Sequence, residues 1–386
     1  MHGARRLHSA DTPPGHLRGL ALAGAGGAAL WTIAHNRSAA VRHWKLSSLP
    51  RIQIGPLSCR VGGTGATGAL LLHGLVATGD VFGNTADLLA ASRVVAVPDL
   101  LGFGQSLDEG RDDFGTSAHL AAIDAVVART LGDRPLVIAA HSMGSTLALR
   151  WAALHPDRVE QVICLGPPIW PGRAAARRAI GNASAMSRIF VLQERTARRA
   201  CAISCRHRSV AGWIAAAVAP RWPIPIAWNA TRHTWAAYSQ TLEAQVLHDD
   251  WPALLHRLDQ AGVPVRLVWG DHDRVGDHDY AQELASALVH GDVRVVAGAD
   301  HTLPAARPEL IVQLAGQPAG GPQGVLAPGA ASEDTQLSGG ALRRHVVCPS
   351  GPDRTLPARV ARFVWGRVAG MPAPTSGTVR ASNAAT

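Results

Sequence analysis

Six short apolar runs, rich in β-branched residues, recur along the middle of the chain at residues 69–72, 93–97, 135–139, 159–165, 263–269 and, more briefly, 293–296. Strands buried on both faces read in this way. Helical patterning fills the intervals, most clearly over 117–131 and 145–154. Strands separated by helices predict an α/β fold, a mostly parallel sheet with helices on both faces. In such sheets the reactive groups gather in loops at the carboxyl ends of the strands. The residues that follow each run therefore hold the functional information.

After 135–139 comes Ala140-His141-Ser142-Met143-Gly144, a small-x-Ser-x-small pattern directly between a strand and a helix. A sharp turn there holds the serine in a strained conformation, and bulky neighbours would clash. The turn exposes the hydroxyl and places the Met143 backbone N–H at a helix N-terminus, where it can stabilise an oxyanion. Taken alone, the same residues also suit a serine helix cap. After 69–72 comes His73-Gly74-Leu75, and the Leu75 N–H suits a second oxyanion donor. Residues 98–106 form a glycine-rich turn after the second run. The last two runs are followed by Gly270-Asp271-His272-Asp273 and by Gly298-Ala299-Asp300-His301. A serine, an acid and a histidine thus follow three separate strands in that order.

The stretches LLLHG, PDLLGFGQS, AHSMGS, WGDHD and GADH together resemble the α/β-hydrolase superfamily, and within it the group with a helical cap inserted after the sixth strand. The resemblance covers residues 51–316. It implies Ser142 as nucleophile, His301 as general base and Asp273 as the acid that orients the imidazole, with Asp271 as the alternative acid. It also implies an oxyanion hole from the N–H groups of Leu75 and Met143, and chemistry without metal or organic cofactor. An aspartate nucleophile is absent at this elbow, which argues against epoxide hydrolases and haloalkane dehalogenases. The expected activity is that of a serine esterase or lipase-like hydrolase cleaving a hydrophobic ester through an acyl-enzyme. Carbon–carbon bond hydrolysis or cofactor-free perhydrolysis by the same triad stays open, as does a non-catalytic binding protein on this fold.

Charge changes the picture around this core. The net charge of +9 first suggests nucleic acid or anionic lipid. By region, however, 51–166 with 246–316 is acidic, whereas 167–245 carries eleven arginines against Glu194 and Glu243. Both ends are basic too. A basic insert within an acidic body is not the layout of a nucleic-acid-binding domain. Residues 167–245 also hold five of the eleven tryptophans, and Pro220, Pro223 and Pro225 break them into at least two helical pieces. A cap of that composition suits a hydrophobic substrate or contact with a membrane surface; arginines facing solvent and tryptophans forming cap core is the plainer reading.

The expected organisation is a basic extension over 1–50, a core over 51–166 and 246–316, the cap, and a Gly/Pro/Ala-rich flexible tail over 317–386. Residues 19–34 are free of charge but short for a spanning helix. Membrane association leads, with a cleaved signal peptide or a soluble extension as alternatives. Residues 359–368 fit a short basic amphipathic helix. Cys201 and Cys205, with His207 nearby, lack the second pair a zinc site needs, and read as ordinary helix-face cysteines.

Overall fold

All six apolar runs are strands in the computed structural model, which describes residues 27–183, 188–189, 191, 193–317 and 325–326. They are β3 (Gly68–Leu72), β4 (Val94–Pro98), β5 (Leu136–His141), β6 (Val159–Leu165), β7 (Val265–Gly270) and β8 (Gly291–Val296), all mutually parallel. A hairpin of β1 (Arg51–Ile54) and β2 (Leu57–Gly62) pairs antiparallel with β4. The short β9 (Val325–Leu326) lies parallel to β8. Among the described residues the sheet order is β1-β2-β4-β3-β5-β6-β7-β8-β9. The chain divides into two units, 1–331 and 332–386, and the second lies outside the described residues.

The continuous apolar runs are explained by burial on both faces. Leu70, Leu72, Ile138, Ala140, Val162 and Cys164 pack on one side with Ile123, Leu147, Trp151 and Leu255 from the helices Thr116–Val126, Gly144–Leu154 and Trp251–Gln260. Leu71, Val137, Ala139, Ile163 and Leu165 pack on the other with Leu89, Ile311 and Leu314 from Thr85–Ala90 and Pro308–Ala315. Strand order reverses at β3, which has β4 on one side and β5 on the other. The loops leaving β3 and β5 therefore open beside each other at a switch point, where such sheets place their ligands.

Between β6 and β7, residues 167–245 contain the helices Arg173–Ala183, Glu194–Arg206, Arg208–Val218, Ile224–Asn229 and Trp235–Thr241, with no strand among the described residues. The helix Arg208–Val218 ends before Pro220 and the next begins after Pro223, so the proline-rich stretch separates two helical pieces. Pro223 is the N-cap of Ile224–Asn229 and Pro225 sits in its first turn. A first-turn residue has no intrahelical acceptor to lose, which makes proline welcome there.

Residues 27–37 are helical, and after the extended Ser38 the helix Ala39–His43 follows. Ala40 packs against Ala305 and Ala306, and the Trp44 Nε1–H donates to Asp80 O at 2.7 Å. Ser38 Oγ donates to Arg221 O at 2.5 Å. The segment leading to β1 is thus fastened to both the sheet layer and the insert. Residues 19–26 lie outside the described residues, and no helix among those described is long and apolar enough to cross a membrane. Val325 and Leu326, in the segment read as a tail, instead supply the edge strand; residues 359–368 lie outside the described residues.

His119, on Thr116–Val126, is buried with Nε2 3.1 Å from Thr241 Oγ1. Burial pulls its pKa down to about 3. The unfolded chain, with a histidine pKa near 6.5, then takes up the proton first. Stability is complete above about pH 6.5 and declines as the pH falls toward 3, by about 2 kcal/mol per such histidine at pH 5. The thermal midpoint is expected to drop between pH 7 and pH 5, and to drop less steeply in His119→Leu. Equal slopes for the two proteins, measured by circular dichroism, would contradict this origin.

Candidate active site

The candidate site is built from loops at the carboxyl ends of β3, β4, β5, β7 and β8. The turn after β5 carries Ser142, one of two non-glycine residues with positive φ among those described, at 52°. That left-handed conformation costs a serine on the order of 1–3 kcal/mol and is kept where surrounding structure enforces it. The enforcement is visible on each side. The Ser142 N–H donates to Leu165 O at the end of β6 at 2.8 Å. Gly144 follows so closely under β3 that a Cβ there would stand 2.4 Å from Leu72 O and 2.6 Å from His73 O. A Cβ on Gly74 would come within 2.9 Å of Ser142 Cβ. Glycine at 74 and 144 is therefore a requirement of close approach.

His73 is a positioning group. Its fully buried ring accepts the Leu100 N–H at Nε2 over 2.7 Å, tying the loop after β3 to the loop after β4. Asp99 completes that tie by accepting from the N–H groups of Gly79 and Gln105, each at 2.8 Å. The N–H groups of Leu75 and Met143 enter no hydrogen bond among the described residues.

His301 and Asp273 come together from the loops after β8 and β7. His301 Nδ1 lies 2.9 Å from Asp273 Oδ2 and 3.1 Å from Oδ1. The Asp273 side chain is 1% exposed and that of His301 29%. Burial alone pushes the Asp273 carboxyl up, but the facing His301, its hydrogen bond and the Val275 N–H hold it below the ordinary carboxylate value. The Val275 N–H donates to Asp273 Oδ1 at 2.8 Å, and the buried Trp269 Nε1–H pins the same loop through Val275 O at 2.9 Å. Asp271 instead accepts from the Ala299 N–H at 3.2 Å and lies 3.5 Å from His272 Nδ1. It has no hydrogen bond to His301.

Several further residues that no sequence motif marks shape the site. Gly166, at the end of β6 with φ of 55°, leaves room for the pair: a Cβ there would stand 2.8 Å from Asp273 Oδ2 and 2.9 Å from His301 Nδ1. A lone glycine immediately after a strand was its only trace in the sequence. His141, beside the serine, is fully enclosed, and burial lowers its pKa to about 3. Its neutral ring donates from Nε2 to His301 O at 3.0 Å and lies against the His301 ring, centroids 4.6 Å apart. The insert reaches the same place. Trp222 stands 6.4 Å from the His141 ring, and Arg221 pairs with Asp300, next to His301, at 2.9 Å.

Ser142 is half-buried, and no hydrogen bond joins its Oγ to His301 in this conformation. Uncomplexed sites commonly hold that bond long until substrate is present. Cys201 and Cys205 approach with sulfurs 4.0 Å apart, beside His233 and not His207. No group of three His, Cys, Asp or Glu side chains suited to a metal is found among the described residues.

A family model described as alpha/beta hydrolase fold matches residues 70–305. A probable lysophospholipase of Arabidopsis thaliana, BODYGUARD 4, is 28% identical over 224 residues, covering 54% of this chain and 52% of that protein. Lipase LipV of Mycobacterium tuberculosis is 32% identical over 110 residues, 28% of this chain and 41% of that one. The chain thus spans about half the length, or less, of these curated relatives. Among solved structures, an esterase from Rhodococcus sp. ECU1013 superposes with a TM-score of 0.52 at 19% identity, covering 69% of this chain and 97% of that chain. At that identity the likeness concerns the fold.

Proposed function

Since the chain belongs to the alpha/beta hydrolase fold family, we propose that it is a serine hydrolase of carboxylic esters with a hydrophobic acyl group, working through an acyl-enzyme on Ser142. The observation that carries this reading is the buried Asp273–His301 pair, at 2.9 Å, beside a serine held at positive φ. A free serine hydroxyl is a poor nucleophile at neutral pH, so a base must take its proton during attack. With Nδ1–H directed at Asp273, the His301 ring keeps Nε2 as that base. The Asp273 carboxylate then stabilises the imidazolium that forms. The unspent N–H groups of Leu75 and Met143 are the donors for the tetrahedral oxyanion, each worth about 3 kcal/mol in such sites. Collapse expels the alcohol, protonated by His301, and water activated by the same ring releases the acid.

Residues 167–245 act as the cap of this site. Trp222 beside His141 and the Arg221–Asp300 contact support that role, and the Trp222 ring favours an apolar acyl chain. The names of two relatives, a probable lysophospholipase and a lipase, are compatible with a lipid ester.

A panel of p-nitrophenyl esters of rising chain length is the direct test. Turnover is expected, with kcat/KM rising from acetyl to medium chains. Labelling by a fluorophosphonate probe without turnover of any ester would retain the nucleophile but overturn the ester assignment. Absence of both would overturn the hydrolase reading.

A further inference from the structure

The helix Arg208–Val218 is turned inside out for a soluble protein. Its buried positions are Gly212 and Ala216, one turn apart. Its large apolar side chains face solvent: Val210 is 59% exposed, Trp213 62% and Val218 48%. The spacing puts all three, with Ile214, on one face. The inward face has no room for them, because Gly212 presses on Trp228 so closely that a Cβ would stand 2.6 Å from its ring. Two neighbouring elements extend the apolar surface. Ile224 is exposed on the next helix, and Leu30 and Ile33 are exposed on the N-terminal helix, which meets the segment between those helices through His35 and Pro220 O. Residues scattered singly would need no explanation, but several large apolar side chains on one helix face mark an interaction surface.

Its flank is cationic. The preceding helix, Glu194–Arg206, exposes Arg195, Arg198, Arg199 and Arg206 around Ile203, which is 64% exposed. None of the four has a carboxylate partner among the described residues. An open cavity of about 460 Å³, lined by Arg206, His207, Arg208 and Val210, lies where the arginine-rich helix gives way to the apolar one.

We propose that this face docks on an anionic phospholipid bilayer, with Val210, Trp213 and Val218 entering the acyl boundary and the arginines meeting the headgroups. Charge decides between occupants. The chain's own ends are basic, with net +5 over 1–50 and +4 over 317–386, so neither complements the arginines. A second copy meeting this face symmetrically would set arginine against arginine. An anionic lipid surface supplies the opposite charge and an apolar layer together. The face is coupled to the candidate site by a short link: Val218 is four residues from Trp222, whose ring stands near His141. Docking would bring the Ser142 turn to the lipid, which extends the hydrolase reading to where its substrate resides.

The test is co-sedimentation of the full chain with phosphatidylcholine vesicles, with and without phosphatidylglycerol. Binding is expected only with phosphatidylglycerol and is expected to weaken as salt is raised. Val210→Ser/Trp213→Ala/Val218→Ser and Arg198→Gln/Arg199→Gln/Arg206→Gln should each reduce vesicle binding by about tenfold or more. Both should retain the wild-type circular dichroism melt and hydrolysis of a soluble short-chain ester. Equal binding by the variants, or no preference for phosphatidylglycerol, would overturn the proposal. So would a dimer by light scattering that the apolar variant makes monomeric, since the face would then belong to a second copy. Vesicle binding requires no turnover, so its failure and failure of the hydrolase reading are separate results.

Discussion

Ser142→Ala is expected to lower kcat on a soluble ester by about a million-fold and to abolish fluorophosphonate labelling. On the proposed mechanism the loss is large because the Ser142 hydroxyl would form the acyl bond, and the two buried serines nearby are otherwise engaged. Ser106 is buried and donates its hydroxyl to Asp99 O, and Ser145 lies beneath the turn with its hydroxyl directed at Ala140 O. What survives in the variant would come from the oxyanion donors and binding. Folding should be unaffected or improved, because alanine loses nothing at a position whose hydroxyl makes no structural hydrogen bond. Labelling that persists in Ser142→Ala would place the nucleophile elsewhere.

Asp273→Asn and Asp271→Asn are expected to separate by about four orders of magnitude in kcat. Asparagine at 273 can present its amide N–H to His301 Nδ1, which favours the tautomer with Nδ1 unprotonated and removes Nε2 as a base. That error costs about ten-thousand-fold in triads of this chemistry. The imidazolium formed during attack would also lose its counter-charge. At 271, the carboxylate only accepts the Ala299 N–H at the turn and stands near His272, so asparagine there retains an acceptor and should leave kcat within about twofold. Comparable losses in the two variants, measured as kcat on one ester at one pH, would contradict the assignment of Asp273 over Asp271.

The parallel strands were legible because burial on both faces requires unbroken apolar runs, and β6 was read with its observed bounds. The hairpin β1–β2 was not read, although Gly55, at φ of 54°, marks its turn. Its strands carry Arg51, Gln53 and Arg60, and only tertiary contacts account for them: Arg51 and Arg60 both pair with Asp80. The edge strand β9 was hidden because two apolar residues in a Gly/Pro-rich stretch carry no periodicity; pairing with β8 alone makes them a strand.

For the site, the sequence by itself determined which residue types follow which strands. A strand-end loop in a parallel sheet must open at the same edge as its neighbours, so Ser142, the two aspartates and His301 were placed on one edge by their order alone. Their mutual distances were decided only by the tertiary structure. Only His272 separates Asp271 from Asp273, and the turn that sends one to Ala299 and the other to His301 depends on Trp269, Val275 and the space beside Gly166. The basic insert followed the same rule. Its charge and tryptophan content were plain in the sequence, but which tryptophan faces the site and which faces solvent depends on packing. Trp222 stands near the His141 ring, whereas Trp213 stays 62% exposed, meeting the Trp228 ring only edge-on at 5.0 Å.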